Sequence, residues 1–228
     1  TFVKAEASRL LKYENLIYDY FENKTIISQQ DRDLIYHGER NEIRIIPNGV
    51  DFNFFSPREA DKKYDIVFTG NMNYPPNVNG AIHLVADILP LLLEKRPNLK
   101  VLIAGATPAP AVQALQSAHV EVSGWVDDIR ESYSEAKVFV APMRIGTGLQ
   151  NKLLESMAMG IPSVTTSLAN NALNATPDSE ILIGESAAEV AEKIESLLDS
   201  SSLRGEIGAN GRSFVESKYS WASSVQLL

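Results

Sequence analysis

The chain has 228 residues, 44% of them hydrophobic and 22% charged, which is more than one average domain and ample for a buried core. Its net charge of −8 excludes a general nucleic-acid binder, and the lack of cysteine excludes disulfides, thiol catalysis and cysteine-ligated metals. No apolar run approaches the roughly 20 residues of a membrane span, and no signal-peptide pattern opens the chain. His37, His83 and His119 are isolated and share no metal-ligand spacing, so they read as surface or cap residues and no metal is assigned.

Val3, Ala7, Leu10, Tyr13, Ile17 and Phe21 fall at helical spacing and predict an amphipathic helix over 3–21. A strand-like run at 24–28 leads into QQDRD, a polar stretch suited to a helix start. Residues 43–46 are strand-like again and run into the turn signal Pro47-Asn48-Gly49. Residues 52–63 have no clear period and read as a connector. The pattern then becomes regular. Apolar runs at 65–69, 100–104, 120–123, 137–141, 161–166 and 180–183 predict strands, with helices at 78–95, 109–118, 127–135 and 149–159. Runs that are continuous rather than alternating suit strands covered on both faces, so the expectation is a doubly wound parallel α/β sheet. Residues 186–228 read as helical throughout, with breaks near Gly205, Gly208 and Gly211.

Ligands of an open parallel sheet bind outside the carboxyl ends of its strands, and two loops lie there. The stronger is Met143 to Gly148, followed by a helix start carrying Lys152 and Glu155. Gly146 and Gly148 would admit a diphosphate to the backbone, with N–H groups opening the helix and Arg144 and Lys152 as cations. A lysine in a first helical turn is disfavoured by about 0.3–1 kcal/mol, a cost that a bound phosphate offsets. The alternative is a plain strand-to-helix turn with Lys152 and Glu155 as an i,i+3 surface pair. The second loop, Gly70-Asn71 through Pro75-Pro76-Asn77, is explained by scaffolding, with Asn77 as an N-cap. Trp125 and Val126 follow a third strand, where Trp125 borders a base or caps the core. Asp127 and Asp128 suit a helix N-terminus. There is no GxGxxG fingerprint after a strand and no GxxxxGK[ST] loop, which argues against a nicotinamide enzyme and an NTPase.

Read together, IPNGVD (46–51), IVFTGNMNYPPNV (66–78), VSGWVDDIRESYSEAKVFVAPMRIGTG (122–148), NKLLESMAMGIPSVTT (151–166) and YSW (219–221) resemble glycosyltransferase family 4, nearest its bacterial exopolysaccharide and surface-glycan branch. The resemblance implies a GT-B fold of two Rossmann-like domains facing a cleft, with the sugar nucleotide held by the C-terminal one. On that basis residues 64–228 are expected to be the nucleotide-sugar-binding domain and 46–63 a connector. Residues 1–45 are expected to be a remnant of the N-terminal domain, since the chain begins at Thr1 and so resembles a fragment or processed product.

The resemblance also assigns roles. Glu155 matches the second glutamate of the family's pair and is expected on the donor ribose. The first glutamate's position is Thr147, which with Leu149 and Gln150 falls in the donor sugar region. Gly70, Asn71, Arg144, Gly146, Gly148 and Lys152 are expected around the donor diphosphate, and Trp125 and Val126 beside the base. Asn71 and Pro76 stand where many members carry an arginine and a lysine, so the cationic role shifts to Arg144 and Lys152. No catalytic residue is assigned. The implied reaction is retaining transfer of a hexose-type sugar, without a cofactor, from a UDP- or GDP-sugar to a glycan or lipid-linked acceptor. The acceptor side would lie in the missing domain, leaving this chain to bind nucleotide and turn over poorly. The expected location is cytoplasmic, or peripheral at the cytoplasmic face of the inner membrane. A GT-B nucleotide-sugar epimerase and a non-catalytic scaffold are the alternatives.

Overall fold

The computed structural model describes residues 2–146 and 148–227. Helix α1 (Phe2–Tyr18) ends three residues before its apolar spacing does. Tyr18 there stacks on His37, with ring centroids 3.7 Å apart, and donates its hydroxyl to the Glu39 carbonyl. β1 (Thr25–Ile26) pairs in parallel with β2 (Arg44–Ile45), and α2 (Gln29–Leu34) lies between them. Ser28 caps α2 by accepting the Asp31 N–H at 3.1 Å.

The regular part alternates strand and helix. It runs through β3 (Tyr64–Thr69), α3 (Pro75–His83), a π-helical turn (Leu84–Ile88), α4 (Leu89–Leu93), β4 (Val101–Ala104) and α5 (Pro110–Gln113). Next come β5 (Val120–Gly124), α6 (Ile129–Ser134), β6 (Ala136–Ala141), α7 (Asn151–Ala158), β7 (Ser163–Thr165) and α8 (Ser167–Leu173). The chain continues with β8 (Leu182–Ile183), α9 (Ala187–Asp199), α10 (Ser201–Lys218) and α11 (Trp221–Val225). The six later strands form one parallel sheet in the order β5-β4-β3-β6-β7-β8. Winding starts at β3, runs outward to β5, then returns to β6 on the other side of β3. The reversal point therefore lies between β3 and β6, where an open α/β sheet offers its ligand crevice.

Successive strand residues face opposite sides of a sheet. Ile66, Val67 and Phe68 are all fully buried, as are Val138, Phe139 and Val140, so both faces are covered. This is the doubly wound α/β architecture, closed at its end by helices.

The structure corrects several sequence expectations. The helical stretch Pro75–Leu93 is long and apolar enough to cross a membrane by length and composition alone. Ala81, Leu84, Ile88, Leu89 and Leu92 are nevertheless packed into the core. Its π turn has a local cause. Pro90 supplies no N–H and its ring crowds the preceding turn, and the Leu89 N–H reaches back five residues to the Leu84 carbonyl. The helix starts at Pro75, with Tyr74 rather than Asn77 as its cap. α5 covers only part of 109–118. α8 is a helix beyond those the sequence pattern predicts, and it ends at Asn174 in the left-handed conformation. The glycines of α10 do not break it. A Cβ on Gly208 would lie 2.3 Å from the Gly160 carbonyl oxygen, so the residue is small to let α10 approach the turn after α7. His83 is also buried rather than superficial, with Nδ1 2.6 Å from Asp87 Oδ2.

Candidate functional site

A cleft of about 520 Å³ opens at the carboxyl ends of β3, β4 and β5, against the start of α7. Its back wall requires two glycines. Gly105 has φ +139°, and a Cβ there would sit 1.8 Å from the Gly70 carbonyl oxygen. The Gly70 N–H donates to Ala104 and the Gly105 N–H to Gly124, each at 3.0 Å, which ties the three strand ends together. Backbone is thus exposed to the cleft where a side chain would otherwise intrude.

Lys152 enters this cleft from the first turn of α7. It is 9% exposed, its Nζ donates to Asn77 Oδ1, and it lies 5.0 Å from the centre of the Phe68 ring. Asn77 is buried in turn, and its Nδ2 donates to the Asn71 carbonyl at 3.0 Å. Burial pushes the Lys152 pKa down to about 8, opposed by the charge of Glu155. Leu153 is the first residue of α7 whose N–H finds a backbone acceptor, at Gln150. Among the described residues nothing accepts from the Asn151 or Lys152 N–H.

Glu155 stands one turn further along α7. Its Oε2 accepts from the Tyr133 hydroxyl at 2.8 Å, and that hydroxyl lies 2.8 Å from Thr69 Oγ1. Burial raises the Glu155 pKa, while Tyr133 and Lys152 pull it down. Tyr133 is fully buried, and its pKa stands well above the ordinary tyrosine value, first through burial and then through Glu155.

The rim is aromatic. Trp125 is 74% exposed, so it does not cap the core, and Phe54, Val126 and Ile129 line the same cleft. Phe54 is held by the Arg130 guanidinium, 3.6 Å above its ring. Arg130 also binds Asp128 through both carboxylate oxygens, which holds that carboxyl down at about 2. Asp128 caps α6 through the Arg130 N–H. A second cavity of about 400 Å³ adjoins the first, shares Asn151 and Glu155 with it, and is bounded by Asn48, Asp51, Phe55 and Trp221.

Of the residues singled out in the sequence, Gly70, Asn71, Trp125, Val126, Gln150, Lys152 and Glu155 line the cleft. The Asn71 side chain is occupied within its loop, accepting from the Asn73 N–H and the Thr107 hydroxyl. Arg144 points elsewhere: its Nε donates to Asn79 at 3.2 Å and its guanidinium lies 3.7 Å from Asp87. Gly146 faces Pro76 and Gly148 faces Asp31, while Leu149 packs on the core. Thr147 lies outside the described residues. Sequence reading missed Thr69, Asn77 as a lysine partner, Gly105 and Tyr133. Gly105 carried a usable signal, an apolar strand run ending in glycine as at Gly70. The Lys152–Glu155 surface pair is overturned, because both residues turn inward to separate partners.

The family model described as Glycosyl transferases group 1 matches residues 63–200, well over half of the chain. The chain belongs to that family. The capsular polysaccharide biosynthesis glycosyltransferase CapM of Staphylococcus aureus is 28% identical over 189 residues, covering 76% of this chain and 49% of that protein. The chain spans about half the length of the curated relatives it matches. Among solved structures, Anabaena HepE in complex with UDP and glucose matches with a TM-score of 0.80 at 14% identity, over 95% of this chain and 64% of that one. The C-terminal domain of the group 1 glycosyl transferase LpcC from Francisella tularensis matches over 76% of this chain and 100% of its own length, with a TM-score of 0.61 and 21% identity. The six-stranded sheet is thus that of the C-terminal half of a GT-B fold.

Proposed function

We propose that this chain is the donor-binding part of a retaining glycosyltransferase. It would transfer a hexose-type sugar from a nucleoside diphosphate sugar to a glycan or lipid-linked acceptor. The observation that carries this reading is the buried Lys152 ammonium, facing an open cleft and set beside N–H groups at the start of α7 that have no acceptor among the described residues. A buried cation whose hydrogen-bond acceptor among the described residues is one neutral amide oxygen is poorly compensated, and a diphosphate supplies further negative charge. Membership of the group 1 family and the UDP and glucose of the HepE complex point the same way.

In this reading the diphosphate lies against Gly70, Gly105 and the start of α7. Glu155 accepts from the ribose hydroxyls, and the base lies between Trp125, Val126 and Phe54. The sugar extends toward Gln150 and the segment holding Thr147 and Leu149. As the bond from the anomeric carbon to the diphosphate oxygen breaks, negative charge grows on that oxygen. Lys152 and the α7 N–H groups stabilise it, and fixed placement of the donor supplies the rest. Arg144 is not needed for this, being held by Asn79 and Asp87. Residues 1–45 would belong to the acceptor-side domain, and the whole protein would act in the cytoplasm or at the cytoplasmic face of the inner membrane.

Titration of the chain with UDP, GDP and ADP by calorimetry tests the reading. One of them is expected to bind with a 1:1 stoichiometry and to lose that binding in Lys152→Ala. Absence of binding by all three overturns the donor-site reading.

A further inference from the structure

Glu155 is presented to the cleft by a chain of hydroxyls from two other elements. Tyr133, at the end of α6, has one phenolic proton and three acceptors in range, Glu155 Oε2 and Thr69 Oγ1 each at 2.8 Å and the Lys152 carbonyl at 3.5 Å. The carboxylate, the charged acceptor of the three, takes the proton. The Thr69 hydroxyl, at the end of β3, then donates to the phenol oxygen. Tyr133 cannot turn away, because it is fully buried and its ring meets Phe139 and Phe55. Oε2 is therefore committed to protein. Oε1 has no partner among the described residues, on a side chain that lines both cavities.

We propose that Tyr133 is a positioning residue that fixes the Glu155 carboxylate in one rotamer, keeping Oε1 free to accept from the vicinal hydroxyls of the donor's ribose, with Thr69 anchoring the phenol. This rests on the donor-site reading above. A glutamate on a helix has three rotatable bonds, and a free carboxylate would lose that freedom when ligand binds. The Tyr133 bond removes it beforehand, so the benefit falls on the ribose contact and not on the diphosphate.

The test is the affinity of UDP and GDP against their 2′-deoxy counterparts, measured by calorimetry on the full chain. The wild type is expected to favour the ribonucleotide by roughly tenfold or more, the scale of a hydrogen bond to a charged group. Tyr133→Phe is expected to bring the ribonucleotide close to the deoxy form, which keeps only the 3′ hydroxyl and so weakens less. Equal weakening of both forms, or undiminished discrimination, overturns the proposal. Thr69→Val and Thr69→Ser provide a second arm that holds even if Tyr133→Phe does not fold. Valine is expected to reduce the discrimination and serine to retain it, and equal discrimination in the two overturns the proposal. Failure of the wild type to bind any of these nucleotides overturns the donor-site reading itself. Binding without ribose discrimination overturns only the role given to Glu155 and Tyr133.

Discussion

Lys152 and Glu155 stand one turn apart on α7, yet each is anchored elsewhere: Lys152 Nζ donates to Asn77 Oδ1, and Glu155 Oε2 accepts from Tyr133. The two opposite charges are thus held side by side without being spent on each other. A surface i,i+3 pair would collapse into a contact worth a few tenths of a kcal/mol. Here the partners come from α3 and α6, and the two groups remain available to separate parts of a ligand.

Replacing Lys152 with methionine is expected to separate binding from stability. A buried ammonium with one amide partner is costly, and methionine fills similar volume without the charge. Lys152→Met is therefore expected to raise the melting temperature at neutral pH, by the equivalent of roughly 1–3 kcal/mol. If the cation meets the phosphates directly, as in the proposed donor site, the same change weakens nucleoside diphosphate binding by about 30-fold or more. Thermal melts and titrations on the one variant check both. A lower melting temperature would show that the Asn77 bond outweighs the burial.

The Lys152 pKa gives a pH signature with a definite sign. Burial lowers it to about 8 from an ordinary value of 10.5. A bound diphosphate favours the charged form, so binding takes up protons from about pH 8 upward and weakens as pH rises further. Calorimetry in buffers of different ionisation enthalpy is expected to show net uptake near pH 8.5, about half a unit above the lysine's midpoint, and little near pH 6.5, about one and a half units below it. The stability linkage runs oppositely to that of a group stabilised by its charge. Below the folded pKa both states are protonated and the full cost of burial is present; the cost is relieved as pH climbs toward the unfolded value. Proton release on binding in this window would contradict the assignment.

The sheet was legible because runs such as VFVA and VLIA are short, β-branched-rich and apolar at every position, as suits strands covered on both faces. Lys152 and Glu155 were legible because a glycine-bearing loop opening a helix has a local signature. Their anchors were not, because Lys152 meets Asn77 across 75 positions and Glu155 meets Tyr133 across 22. Such pairings are set by strand order, which no local pattern encodes. Arg144 shows how sequence proximity and spatial partners can differ. It flanks the loop in sequence, yet Asn79 and Asp87 of the neighbouring helical stretch hold it. Gly208 misled because a helix-breaking residue and a close-packing residue are the same residue until the neighbouring Gly160 carbonyl is located.

Gly105→Ala tests the back wall. Alanine there meets both a backbone conformation that L side chains rarely adopt and the Gly70 carbonyl oxygen at 1.8 Å. Backbone atoms on both sides leave no flexible group to yield, so the strand ends must separate. The expected loss is about 2–4 kcal/mol by urea denaturation, the range of severe steric and backbone lesions. Nucleotide binding should fall with it, because Gly70 and Ala104 move together. A change below about 0.5 kcal/mol, typical of a neutral surface site, would show that this wall is pliable.

Trp125→Ala should do the opposite. The indole is 74% exposed and contributes little to the core, so its removal is expected to leave the denaturation midpoint almost unchanged. Its position lining the cleft, which a Phe54 ring held in place by Arg130 also lines, suits it to cover a planar base. Removing one face of that enclosure should weaken nucleoside diphosphate binding by about 5- to 100-fold, the range seen when a base loses an aromatic stacking partner. Inorganic pyrophosphate, which has no base, should bind the variant as it binds the wild type. A pyrophosphate affinity that fell in parallel would place Trp125 near the diphosphate instead, and the base would then have to lie toward the cavity bounded by Phe55 and Trp221.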